Sequence, residues 1–326
     1  MVLFLVAFIL FFLSLFFTYL IRKFSLKKNI LDVPNQRSLH QLPTPRGGGL
    51  AFVLTFYLAL LLLWLNHFVH VTVFLPLLGG IPIACVGYCD DVFGVKAHWR
   101  ACVHVFSAAW GFYFLGGAST LFFMFAIFIT VWFVNLYNFM DGIDGLAGME
   151  AVFVSSVAGI ILFLHGFNGI SYVCFALASS VLGFLIFNWP PAKIFMGDVG
   201  SGFLGYVFAM LMWITNTQHQ LPFPVWWILL SIFILDAGYT LIRRMIQKKK
   251  WWLAHREHAY QCLTQSGFSH KKVTLSILFV NVLICVPLAD VYLNLHQRIG
   301  NLFYLILVLS VFWTAWFYIV KKYSVI

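Results

Sequence analysis

The sequence predicts an all-α fold: a polytopic integral membrane protein with about eleven transmembrane helices. Three observations carry that reading. The chain is 62% hydrophobic with a mean hydropathy of +0.94, its charged residues amount to 9%, and apolar runs of about 20 residues recur from end to end. Soluble domains are nearer half apolar and about a quarter charged, whereas about 20 apolar residues are what a helix needs to cross a bilayer. A nucleic-acid partner, which a net charge of +10 would otherwise suggest, wants a soluble basic module, and the sequence has none.

In order, the apolar runs fall at about 2–21, 48–66, 71–88, 101–117, 119–137, 146–165, 168–187, 199–215, 224–243, 273–292 and 299–320. The first has no basic start and no small-residue cleavage site before Arg22, so it reads as a retained helix rather than a signal peptide. Gly116-Gly117-Ala118 is so short a gap that the runs beside it form a tight hairpin. Pro190 and Pro191 end the seventh run. The whole of 1–326 reads as one transmembrane domain, with loops at about 22–47, 89–100, 138–145, 188–198 and 244–272 on one side. The six cysteines show no metal spacing, lie mostly inside apolar runs, and read as small hydrophobes.

Charge sets the orientation. With the N-terminus on the periplasmic side, nineteen of the twenty Lys and Arg fall in cytoplasmic segments and only Arg298 lies outside, the skew that the positive-inside rule demands. Removing any one span scrambles it. Much of the net charge then anchors the protein on the anionic leaflet. Asp32, Asp90, Asp91, Asp141, Asp144, Glu150, Asp198 and Glu257 fall on or near the same face, while Asp236 lies within a run and Asp290 near the outer surface.

Carboxylates in so apolar a chain need a reason, because a charge at membrane depth is costly. Asn138, Asp141 and Asp144 are spaced i, i+3, i+6; on a helix they would drift about 60° per step, so one cavity sees all three. Such oxygen donors suit a hard cation. Asp90 and Asp91 are adjacent and repel, which implies a cation or water nearby, and on a helix they face different ways. One then binds metal while the other acts as base, or the pair simply ends a helix in solvent. Lys96 and Arg100 follow as candidate phosphate partners.

The first loop, Asp32 to His40 and then Pro43-Thr44-Pro45-Arg46-Gly47-Gly48-Gly49, is Pro-rich and basic. Three glycines opening a helix let backbone N–H groups approach a phosphate, or are only a flexible start beside interfacial anchors. Asn188 precedes the proline break; Phe195 and Gly197-Asp198 follow it, Asp198 opening a helix as a site residue or a mere cap, Phe195 facing site or lipid. His255-Arg256-Glu257-His258 ends the long basic loop and reads as a phosphate-holding pair of histidines or as a solvated interfacial turn.

Together, in this order and on one side, these blocks resemble the polyprenyl-phosphate N-acetylhexosamine-1-phosphate transferases of glycosyltransferase family 4: Asp32-x-Pro-Asn-x-Arg-Ser-x-His with Pro-Thr-Pro-Arg-Gly-Gly-Gly, Asp90-Asp91, Asn138-x-x-Asp141-Gly-x-Asp144-Gly-Leu, Phe195-x-Gly-Asp198-x-Gly-Ser, and His255 with His258. The resemblance spans residues 32 to 258. It implies a Mg²⁺-dependent enzyme of the bacterial inner membrane, with Mn²⁺ able to substitute, taking a UDP-N-acetylhexosamine and undecaprenyl phosphate and releasing UMP. By the match, Asn138 and Asp198 hold the metal; Asp90 or Asp91 positions or deprotonates the lipid phosphate; Asp141 and Asp144 stand at the catalytic wall. Asn188 and Phe195 contact the nucleotide, His255, Arg256 and His258 form the sugar-nucleotide loop, and Arg46 and Lys96 meet phosphates. A homodimer is a further expectation.

One departure bears on the pathway. The phospho-N-acetylmuramoyl-pentapeptide branch carries adjacent histidines where this chain has His-Arg-Glu-His, so the loop looks more like the branch that initiates O-antigen and other surface polysaccharides. The competing class is an ion-coupled transporter, which wants carboxylates near the midplane and repeated halves; only Asp236 fits it, and no repeat is detected.

Overall fold

The computed structural model describes residues 2–34, 42–116, 119–250, 255–295 and 301–323. Each apolar run is helical over its described residues. The order is α1 (Val2–Lys27), a two-residue antiparallel ribbon of β1 (Leu31–Asp32) with β2 (Thr44–Pro45), α2 (Gly49–Leu65), α3 (Val71–Leu78), α4 (Gly80–Phe93), α5 (Ala97–Leu115), α6 (Thr120–Phe139), α7 (Leu146–Leu164) and α8 (Asn168–Asn188). Then come α9 (Asp198–Thr217), α10 (Phe223–Leu229), α11 (Ser231–Ile246), the short α12 (Ala259–Gln265), α13 (His270–Val280), a π-helical turn (Asn281–Cys285), α14 (Val286–Leu295) and α15 (Asn301–Tyr323).

Among the described residues, seven helices are long and apolar enough to cross a membrane. The protein is a polytopic, all-α membrane protein. The run at 71–88 is cut at Gly79 into α3 and α4, and the run at 224–243 is bent by 78° at Leu230, between α10 and α11; counting that bent pair makes eight. The run around 48–66 forms the 17-residue α2. Asn35, Arg37, Ser38 and His40 of the first loop, Gly117 and Ala118 of the hairpin, and Arg298 lie outside the described residues.

The centre of the molecule is α9, where every residue from Val199 to Thr215 is buried. A helix apolar on all sides belongs in an interior, and α2, α4 and α6 pack around this one. Gly49 on α2 meets Gly200 on α9 at a crossing so close that a methyl group on either would strike the other's backbone. That crossing explains the glycines opening α2. Gly48 and Gly49 donate their N–H groups to the carbonyls of Phe195 (2.9 Å) and Met196 (2.8 Å), so these donors are committed to the 195–196 segment and not to a phosphate. Phe195 N–H returns a bond to the Pro45 carbonyl (2.8 Å). The glycine-rich start thus fixes Arg46 and Phe195 next to the first residue of α9.

Candidate active site

That first residue is Asp198. One cavity of about 240 Å³ is lined by Asp32, Asp91, Asp141, Asp144 and Asp198 together with Arg46, Asn188 and Phe195. These come from the ribbon, the end of α4, the turn after α6, the end of α8 and the start of α9, segments far apart in sequence gathered at one set of helix ends.

Asp91 and Asp90 face different ways, as their adjacency on a helix requires. Asp91 is buried and accepts from the N–H groups of Asp198 (3.1 Å) and Val199 (3.3 Å), so a carboxylate on α4 caps the N-terminus of α9. Arg46 Nη1 stands 3.9 Å from Asp91 Oδ1. Asp90 points elsewhere: its oxygens accept from Val95 N–H (2.5 Å) and Arg100 Nη1 (2.5 Å), and it is not among the cavity residues. Arg100 also donates to Asp198 Oδ2 (2.6 Å), while Asn138 Nδ2 donates to Asp198 Oδ1 (2.8 Å) and to Ser201 Oγ (3.0 Å). Both oxygens of Asp198 therefore have partners. Lys96 is exposed at the start of α5 and lines no part of the cavity; the cation this segment sends to the carboxylates is Arg100.

The helical spacing of Asn138, Asp141 and Asp144 does not survive. α6 ends at Phe139, so Asn138 sits in its last turn and both aspartates lie in the irregular turn after it, which Gly145 closes at φ +77° to start α7. Asp141 and Asp144 line the cavity, whereas Asn138 does not and reaches it only through its hydrogen bond to Asp198, so one cavity does not see all three. Asp144 Oδ2 accepts from Ala192 N–H (3.0 Å). Asp141 lines the cavity, and its carboxylate accepts no hydrogen bond among the described residues. Burial, then the charges of Asp198, Asp91 and Asp144, hold the Asp141 carboxyl well above the usual carboxylate range.

Asn188 lines the cavity, but its amide is already engaged. Its Oδ1 accepts from Gly145 N–H (3.0 Å) and its Nδ2 donates to the Ile194 carbonyl (3.0 Å), tying the aspartate turn to the segment before Asp198.

The His-Arg-Glu-His loop is arranged differently from the sequence reading. His255, Arg256 and His258 are not among the cavity residues. His258 caps α12 and is buried; burial, then His258 and Arg244, lower the His255 imidazole to about 4, so it is uncharged at neutral pH. Glu257 is held by Arg244 and by Lys249 (3.1 Å). The residues that this region does send to the cavity are Gln261 and His270. His270 Nδ1 lies 3.3 Å from Asp144 Oδ1.

A second cavity of about 120 Å³ lies on another side of Asp198 and Asn138. Arg100, His104 and Asn135 are its other polar residues, and its remaining walls are mostly apolar.

A family model described as glycosyl transferase family 4 matches residues 73–216, from α3 through α9, the stretch that supplies Asp91, Asn138, Asp141, Asp144, Asn188, Phe195 and Asp198. A probable undecaprenyl-phosphate N-acetylglucosaminyl 1-phosphate transferase of Bacillus subtilis (strain 168) is 28% identical over 301 residues, covering 86% of this chain and 83% of that one. An undecaprenyl-phosphate alpha-N-acetylglucosaminyl 1-phosphate transferase of Yersinia pestis is 25% identical over 85% of this chain and 80% of its own. Over α3 through α9 the chain is thus similar to glycosyl transferase family 4. It is also similar to a phospho-N-acetylmuramoyl-pentapeptide-transferase of Streptococcus pneumoniae, at 35% identity over a shorter stretch, 54% of this chain and 60% of that one.

Two cavity residues escaped the sequence reading, and a third has no assigned role in it. Gln261 and His270 lie beyond the His-Arg-Glu-His block, and His270 carried the only available signal, a histidine opening a helix after Ser269, its N-cap. In the sequence Asp32 counts among the acids of one face and belongs to the resembling block but has no place in the site, which the cavity gives it.

Proposed function

We propose that the protein transfers N-acetylhexosamine-1-phosphate from a UDP-sugar to undecaprenyl phosphate and releases UMP, working at the cytoplasmic face of the bacterial inner membrane. The observation that carries the proposal is the convergence of five aspartates with Arg46 and Phe195 on one cavity at the helix ends, in a chain whose longer-matching relatives are named for such a transfer. In this reading all eleven apolar runs are spans, the N-terminus is periplasmic and 1–326 is one catalytic domain; the distribution of Lys and Arg supports it.

An oxygen of the lipid phosphate attacks the sugar-bearing phosphorus of the donor, a new P–O bond forms, and the bond to UMP breaks. Such transfers need positioning and charge neutralisation more than covalent help from the protein. Phe195 offers a ring at the cavity for the uracil, and Arg46 a guanidinium for phosphate oxygens. Arg100, on the largely apolar walls of the smaller cavity, suits the lipid-borne phosphate. Of the adjacent pair, Asp91 lines the larger cavity and Asp90 does not, so Asp91 is the better candidate to position or deprotonate the lipid phosphate where it meets the donor.

No three acidic, His or Cys side chains among the described residues are arranged to hold a metal by themselves. Mg²⁺, however, needs only one or two carboxylates beside substrate phosphates, and such carboxylates are present. Several carboxylates share one space, and Asp141 has oxygens open toward it. Asp198 and Asp141 would hold the ion. Asn138, which presents its Nδ2 to Asp198, would orient that ligand rather than serve as one. When bound, Mg²⁺ would neutralise charge on the donor diphosphate.

The longer matches, named for N-acetylglucosaminyl 1-phosphate transfer, support a simple N-acetylhexosamine donor, and from the His-Arg-Glu-His loop we read initiation of O-antigen or another surface polysaccharide rather than peptidoglycan synthesis. Purified protein given undecaprenyl phosphate, Mg²⁺ and a panel of UDP-N-acetylhexosamines and UDP-N-acetylmuramoyl-pentapeptide tests both levels. UMP release with a simple N-acetylhexosamine donor is the expected result; release only with the pentapeptide donor moves the protein to the other branch, and none from any donor refutes the class.

A further inference from the structure

One buried polar cluster has no part in this scheme: Glu150 on α7 and Asn281 at the start of the π turn, both fully buried. Asn281 Nδ2 donates to Glu150 Oε2 (2.5 Å), and Cys285 Sγ, 3.6 Å from Asn281 Oδ1, also meets Ser231 Oγ (3.4 Å). Glu150 Oε1 has no hydrogen-bond partner among the described residues. A half-satisfied buried carboxyl is a poor means of stabilising a fold, which points to placement instead.

What it places is the helix that carries His270. His270, Thr274 and Asn281 share one face: eleven residues at about 100° each return to within about 20° of the starting direction. At one end of that face His270 Nδ1 lies 3.3 Å from Asp144 Oδ1, and Thr274 Oγ1 donates to the Asp144 carbonyl (3.3 Å). At the other end Asn281 holds Glu150, and the π turn starts there, so the helix changes register only beyond the clamp. Apolar packing on α13 is partial: Val273 and Thr274 are buried, and Ile277, Leu278 and Val280 pack half-buried against the core. Between helices in lipid, apolar contact gives little net drive, and polar pairs act as glue.

We propose that Glu150 and Asn281 are positioning residues: their hydrogen bond sets how far His270 reaches toward Asp144 in the donor cavity, an inference that rests on the transferase reading. Glu150→Leu and Asn281→Leu are expected to lower kcat for UMP release about ten- to hundredfold, the scale of a small misplacement of reacting groups. Glu150→Gln keeps an acceptor for Asn281 and is expected to restore activity to near wild type. The deciding measurement puts Glu150→Leu on a His270→Ala background. If Glu150 acts through His270, the double variant is no slower than His270→Ala alone; losses that multiply, or a His270→Ala variant as active as wild type, overturn the proposal. Asn281→Ser on the same background removes the same bond with a smaller change should Glu150→Leu not fold. Wild-type UMP release, measured alongside, tests the reaction assignment separately.

Discussion

Replacing Gly197 by Ala tests the geometry on which the whole site depends. Gly197 sits at φ +77° and ψ 171° just before Asp198, and a methyl group there would collide with Asp91 Oδ2. Two costs follow. The backbone conformation is essentially reserved for glycine, so alanine adds about 1–3 kcal/mol of strain. Asp91 must also move off the Asp198 and Val199 N–H groups, losing a helix cap worth about 0.5–2 kcal/mol. Gly94 provides the control: its φ is +71°, and a methyl group there meets nothing within 4 Å. Gly94→Ala should therefore carry the strain alone and keep near-wild-type turnover. In Gly197→Ala, a shift of Asp91 by about 1 Å is expected to cost on the order of a hundredfold in kcat beyond its lower apparent Tm. The assay is UMP release beside thermal unfolding in detergent for both variants. A Gly197→Ala enzyme as active as Gly94→Ala would show that Asp91 does not need its place at the α9 N-terminus, and the site described above would be wrong.

Four further outcomes are expected. Asp198→Asn and Asp91→Asn should each abolish UMP release, and turnover in either would remove that residue from the site. The unfolding midpoint should stay close to wild type in the first and fall modestly in the second, whose amide can accept only one of the two α9 N–H bonds. EDTA should stop the reaction and Mg²⁺ restore it, with an apparent metal affinity that rises with pH: the Asp141 carboxyl is held high, so at lower pH a proton competes for it, and Asp141→Asn should flatten that dependence in a metal titration. Phe195→Leu should raise KM for the UDP-sugar about tenfold with little change in kcat, and Phe195→Trp should recover most of it; base stacking on an aromatic ring is worth about 1–3 kcal/mol. A cysteine at Lys96, in a chain freed of its own cysteines, should react with a membrane-impermeant maleimide only from the cytoplasmic side, and labelling from the periplasm would invert the proposed orientation.

What the sequence revealed and what it hid separate along physical lines. The helices were legible because bilayer crossing imposes length and apolarity on each run independently, so no partner need be known. The aspartates were legible because carboxylates are conspicuous in a chain with so few charges. Directions were not. Nothing in the order of residues says that Asp90 turns to Arg100 while Asp91 turns to α9, or that Asn188 spends its amide between Gly145 and Ile194; those follow from where distant helices end. The histidine loop misled for the same reason. His255 and His258 stand out in sequence, yet α12 uses His258 as its cap and brings Gln261 and, through α13, His270 to the cavity. The glycines of the first loop looked like a phosphate cradle because close helix crossing and anion binding ask for the same residue, and only the Gly49–Gly200 contact separates them.

Asp236, the one acid that suited a transporter, shows the same logic at work. Its Oδ1 accepts from Ala259 N–H (2.8 Å) and Trp316 Nε1 (2.9 Å), and its Oδ2 from Tyr260 N–H (3.3 Å), so it caps α12 as Asp91 caps α9. Each is a carboxylate on one helix satisfying the first N–H groups of another, at a helix start that carries cavity residues: Asp198 in the first case, Gln261 in the second. A carboxylate so fully engaged with fixed donors is badly placed to pick up and release an ion in a transport cycle. Asp141, by contrast, has its oxygens open to the cavity, which is where a cation and a diphosphate would need them. Asp91 differs from Asp236 in that it also lines that cavity with Asp141 and Asp198, and this gathering of acids at one set of helix ends, with Asp236 left out of it, favours a transferase over a transporter.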